Sequence, residues 1–144
     1  SPDFDRFAPL NVGIEMSPAV WHLPEQGVSE DFSFDEAAAS GALLTFGTDW
    51  SVSESPNLFP AIQGTVQHGE HSIDLETAIA AVTINGASAV GMAEERGTLE
   101  AGKLADFIVL DRNIFTGPVD AIGGTQVLQT IFGGTVVHQA EAGR

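Results

Sequence analysis

The sequence predicts an α/β fold that closes on antiparallel β-structure, and three observations carry that expectation. Strand, helix and strand patterns follow one another over residues 11–50, the order that builds a parallel sheet. The second strand, "ALLTFGTDW" (42–50), holds a continuous apolar run, as strands buried on both faces do. Beyond residue 92 the texture changes to Gly-punctuated turns and hairpin-forming runs, which suit a β-sandwich better than a barrel.

The elements follow in order. In "NVGIEMSPAVW" (11–21) the apolar residues Val12, Ile14 and Met16 alternate before Pro18, which predicts a strand closed by a loop. That loop, rich in Pro, Gly and acids, runs to about Ser33. "SFDEAAASGA" (33–42) has Ser33 as N-cap, Glu36 three residues on and Gly41 as stop, a short helix. Leu58, Phe59, Ile62 and Val66 lie at helical spacing and predict a second helix. A third begins at Asp74 as N-cap, buries Leu75, Ile79, Val82 and Ile84, and ends near Gly86, with a further turn of helix over residues 87–92. "GTLEAGKLADFIVLD" (97–111) reads as a turn followed by a strand, and "TQVLQTIFGGTVVHQ" (125–139) as a hairpin around Gly133 and Gly134.

Composition narrows the function classes. The chain has 144 residues, 43% of them apolar, enough for one domain with a core. Its 20 acids against 5 Lys and Arg give a net charge of -15, which repels phosphate backbones and anionic lipid alike; nucleic acid and membrane are not expected as partners. With no cysteine there is no disulfide framework, thiolate nucleophile or Cys-based metal site. The N-terminal stretch has neither a basic region nor an apolar one of the kind an export signal needs, so the default expectation is a soluble, cytoplasmic chain. Beginning at Ser1, it is expected to be a processed or excised piece of a longer polypeptide.

Chemistry-bearing residues are few. Asp49 stands where an apolar strand hands over to its loop, the edge where parallel α/β folds gather ligand and catalytic groups; a metal ligand or general base is one reading, a loop-bracing acid the other. His68 and His71 have a helical i, i+3 spacing that could bind metal, but Gly69 and the polar surroundings favour an exposed loop between helices. His22 follows a strand end, and His138 lies in the final hairpin as a structural residue. Lys103, in the turn before a strand, is expected to cap carbonyls or pair with an acid such as Asp106. There is no phosphate-binding loop and no dinucleotide fingerprint.

Taken together, "FGTDWSVS", the helix pattern Thr83-x-Asn85-x-Ala87, the turn pattern built on Gly97, Leu99, Glu100, Gly102, Lys103, Ala105 and Asp106, and "VLQTIFGGTVVHQ" resemble the C-terminal third of the amidohydrolase superfamily. The branch is amidohydrolase family 3, which includes N-substituted formamide deformylase-like proteins. The resemblance implies a metal-dependent hydrolase of non-peptide C–N bonds built on a (β/α)8 barrel. This chain would supply the last two strand–helix units (1–92), followed by β-strands of a small composite β-sandwich (93–144). It implies that Asp49 is both the metal ligand and the catalytic proton acceptor at the end of the eighth strand. Trp21 and His22 then sit in a loop after the seventh strand, within reach of a small amide-type substrate. The family's other ligands, a His-x-His pair, a bridging carboxylate or carboxylated lysine and two further histidines, belong upstream of Ser1. The expected cofactor of the complete enzyme is a divalent metal, zinc, not tightly bound by this chain alone, and the expected partner is another copy of the chain. The competing expectation is a stand-alone, non-catalytic domain that self-associates.

Overall fold

A computed structural model describes residues 3–21 and 32–141. Its first sheet is a parallel pair, β1 (Ile14–Met16) and β2 (Leu44–Phe46), in the register Ile14↔Leu44, Glu15↔Thr45, Met16↔Phe46. Since neighbours along a strand point to opposite faces, Ile14, Met16, Leu44 and Phe46 share one face and Glu15 and Thr45 the other. The apolar face is the floor of the core. Onto it pack Phe34 and Ala37 of α2 (Phe34–Ala39), Phe59 and Ile62 of α3 (Phe59–Val66), and Ala78 and Ala81 of α4 (Leu75–Val82). Phe34 is the centre of this layer, meeting the Phe46 ring edge-on at 5.8 Å and the His68 ring at 4.9 Å.

The second sheet is antiparallel, in the order β3 (Phe107–Leu110), β4 (Val127–Phe132), β5 (Thr135–Gln139). Gly133 and Gly134 close its hairpin with φ of 55° and 76°, the double positive pair that a two-residue turn of this hand demands. Between β3 and β4 the chain returns to the core: Ile114 and Ile122 are buried with the helices, and the 3-10 helix Val119–Gly124 is fastened to α3 by a bond from Gly123 N–H to Gln63 Oε1 at 2.7 Å. Among the described residues no helix is long and apolar enough to cross a membrane.

Several details depart from the sequence expectations. Pro18 does not end β1 in a loop but opens the short helix α1 (Pro18–Trp21), because its fixed φ and missing N–H suit the first position of a helix. Most of the Pro- and Gly-rich loop after it lies outside the described residues. Ser33 is at the N-cap of α2, but its side chain makes no capping bond. Thr45 is only half-buried, so β2 is covered fully on its helix side alone. The third predicted helix breaks at Thr83, before α5 (Ile84–Ala89), and Gly86 falls inside α5. The break has a cause: the Thr83 hydroxyl donates to the Ile79 carbonyl at 2.6 Å, a back-bond that bends helices. The Asp74 cap is as expected, its carboxylate accepting the Thr77 N–H at 2.7 Å; that bond holds the acid below the ordinary carboxylate range.

Candidate functional site

Parallel strands end at the same edge, so β1 and β2 deliver Ser17 and α1 from one strand, and Gly47, Thr48 and Asp49 from the other, to one rim. The Gly47 N–H still pairs with the Met16 carbonyl at 3.0 Å, and the chain then turns sharply. Asp49 has φ of 50°, a left-handed conformation that Asp tolerates better than most residues and that recurs where backbone is shaped for a purpose. Its carbonyl accepts the N–H groups of Val52 at 2.6 Å and Ser53 at 3.1 Å, while the Trp50 N–H donates to Thr48 Oγ1 at 3.3 Å. These local bonds curl the loop beneath the acid. The Asp49 side chain is exposed and has no hydrogen-bond partner among the described residues.

A second carboxylate reaches the same rim. Glu15 lies on the face opposite the core, accepts from the Ser17 hydroxyl at 3.3 Å, and extends over Gly47: a Cβ there would stand 2.9 Å from Glu15 Oε1. With glycine at 47 the carboxylate lies over the β2 backbone; a Cβ would make it swing aside. The alternation of Val12, Ile14 and Met16 that predicts the strand has another half. The same alternation puts Glu15 on the open face.

The remaining candidates lie elsewhere or beyond view. Trp21 ends α1 on the rim side, and His22 lies outside the described residues. His71 pairs through Nδ1 with Asp35 of α2 at 3.0 Å, and half-buried His68 rests on Phe34. The segment between α3 and α4 is thus exposed at Gln67, Gly69 and Glu70, as its polar sequence suggests, while its two histidines join it to α2. His138 is exposed on β5. Lys103 does not pair with Asp106: its Nζ donates to Thr98 Oγ1 at 2.7 Å and lies 3.7 Å from Glu100. Asp106 instead accepts the Gly133 N–H at 2.7 Å and faces Arg96 at 3.7 Å, because the turn folds it toward the hairpin. Among the described residues no three His, Asp or Glu side chains come close enough to hold a metal ion. Asp49 and Glu15 bring two carboxylates to the rim, and the described residues do not make a metal centre by themselves.

The two most specific sequence patterns meet in space. A Cβ on Gly97, whose φ is 98°, would stand 2.9 Å from both Ile84 Cα and Ala87 Cβ, so the turn closes on α5 only because residue 97 is glycine.

Known proteins are similar to this chain. A sequence model of the amidohydrolase family matches residues 2–138. A 5-methylthioadenosine/S-adenosylhomocysteine deaminase from Teredinibacter turnerae is 39% identical over 80 residues, 51% of this chain and 18% of that protein. Among solved structures, guanine deaminase from E. coli superposes with a TM-score of 0.76 at 18% identity over 98% of this chain and 37% of its own. Atrazine chlorohydrolase from Arthrobacter aurescens, complexed with zinc, gives 0.72 at 20% identity over 96% of this chain and 34% of its own. The two solved structures share the fold. The chain spans about a third of their length, and less than a fifth of the first relative's.

Proposed function

Because the chain belongs to the amidohydrolase family, we propose that it is the C-terminal part of a metal-dependent hydrolase of small-molecule, non-peptide C–N bonds, and that it is inactive alone. On this reading residues 1–92 are the last two units of a (β/α)8 barrel and residues 93–144 belong to a composite β-sandwich. The observation that supports it most is the placing of Asp49: an exposed acid, in a left-handed turn, at the C-terminal edge of two parallel strands. Its carboxylate takes a proton from the attacking water, with the exposed Trp50 and Val52 beside it; Trp21, the last residue of α1, and His22 after it are the proposed substrate-binding residues. Zinc belongs to the complete enzyme. The described residues hold no group of three ligands, so no catalytic step is assigned to this chain's own metal.

Metal analysis and amide-hydrolysis assays on the purified chain test the proposal: neither stoichiometric metal nor turnover is expected. A tightly held transition metal in stoichiometric amount would overturn the inactive-part reading. In the complete polypeptide Asp49→Asn is expected to lower kcat by about a hundredfold or more, the usual scale for a lost proton acceptor; unchanged kcat removes Asp49 from the chemistry.

A second reading, a non-catalytic domain that self-associates, is favoured by one observation. Val136 and Val137, adjacent on β5 and so on opposite faces, are 52% and 61% exposed, which leaves both faces of that strand open.

A further inference from the structure

The asparagine of the Thr83-x-Asn85-x-Ala87 pattern has a partner far from its own helix. Asn85 Nδ2 donates to the Leu44 carbonyl at 2.8 Å in a half-buried setting, joining α5 to the first residue of β2. A carbonyl only accepts, so the amide group's orientation is fixed by its partner. In the parallel pair the Ile14 N–H donates to Leu43 O at 2.8 Å and Gly47 N–H to Met16 O at 3.0 Å, so the odd residues of β2 turn their main-chain groups to β1. The Leu44 carbonyl therefore points to the opposite edge, where Asn85 meets it. β2 is three residues long, and Asp49 follows its end by three more. A strand this short, held along one edge only, opens easily; Asn85 fastens the second edge. Asn85 is in turn held in place, because Gly97 packs directly on Ile84 and Ala87 on either side of it. The turn carrying Gly97 is tied by the Leu104 N–H to Glu95 O at 2.8 Å and by Lys103 Nζ to Thr98 Oγ1 at 2.7 Å.

We infer that Asn85 is a positioning residue for Asp49: through the Leu44 carbonyl it sets where β2 ends, and so where the Asp49 turn presents its carboxylate. The two family patterns are then one device, an asparagine that grips the strand and a glycine turn that holds the asparagine. Its bearing on hydrolysis rests on the role proposed for Asp49 above; the positioning itself does not.

NMR on the full chain tests it without metal or substrate. In the unaltered protein, a through-bond coupling between the Asn85 side-chain nitrogen and the Leu44 carbonyl carbon is expected; its absence overturns the inference before any variant is made. In Asn85→Asp, which keeps the shape and loses the donor, and in Asn85→Ala, amide exchange at Thr45 and Gly47, whose N–H groups face β1, is expected to rise about tenfold or more. The Asp49 carboxyl carbon resonance moves with it, while protection at Ala78, Ala81 and Ile131 is unchanged. Ser88→Ala, which removes only a bond from Ser88 Oγ to Ile84 O within α5, is expected to leave both readouts in place. Unmoved Asp49 and β2 signals in Asn85→Asp, or a uniform rise in exchange over the chain, would overturn the inference. Unchanged kcat in Asp49→Asn of the complete polypeptide removes Asp49 from the chemistry instead, and leaves the exchange result to decide Asn85.

Discussion

Gly97 is the residue with the least room for change. Alanine there meets a left-handed φ of 98° and two atoms at 2.9 Å, one of them helix backbone that cannot swing aside. Gly97→Ala is expected to destabilise the chain by about 2 kcal/mol, combining the conformational cost with the overpacking; urea unfolding with an unchanged midpoint contradicts this. Asp111 gives a pH signature. The Arg112 guanidinium, first, and the Gln126 N–H, second, hold its carboxyl down to about 2. Its folded value lies below its ordinary one of 3.8, so its stabilisation is fully present above that value and is lost as pH falls toward 2. Carboxyl NMR titration should place its midpoint near 2, and Arg112→Gln should raise it; an ordinary midpoint in the unaltered chain rejects the contact. The place of Asp49 at a strand end was legible, because position along a strand decides it. Single residues were illegible where the partner is remote: Asp35 precedes His71 by 36 residues, and nothing in either neighbourhood announces the pair.

Elements built from local chemistry could be read directly, and those shaped by tertiary contacts could not. The Asp74 cap and the Gly133-Gly134 turn are written in a few adjacent residues. The helix break was expected at Gly86, the weakest helix former, but falls at Thr83, where the hydroxyl back-bond and the pull of Asn85 toward β2 outweigh propensity. Pro18 was read as a terminator when its position made it an initiator. The hairpin offers a clean test at this scale. Gly133→Asn suits a left-handed first turn position and is expected to be neutral or to stabilise by about 0.5 kcal/mol, whereas Gly133→Val is expected to cost about 1–2 kcal/mol. Equal melting temperatures for the two variants contradict the assigned turn.

At the scale of the molecule, the core and the two sheets have different degrees of closure. Helices α2, α3 and α4 with Ile114 and Ile122 cover one face of the parallel pair, while the antiparallel sheet exposes Phe107, Ile108, Leu128, Phe132, Val136 and Val137. Apolar area of this kind is a docking surface or an aggregation site, so size-exclusion chromatography at micromolar concentration is expected to show an oligomer. The pair Val136→Lys and Val137→Lys is expected to shift it toward monomer; a tight monomer in the unaltered chain contradicts the self-association reading.

The Leu44 carbonyl carries one more consequence. Any strand laid against the outer edge of β2 finds that acceptor already engaged by Asn85, and the next main-chain groups facing outward belong to Phe46. The edge is thus uneven: a neighbour slipped back by two residues must share an acceptor that Asn85 already uses, which favours pairing toward the Asp49 end before any side chain is compared.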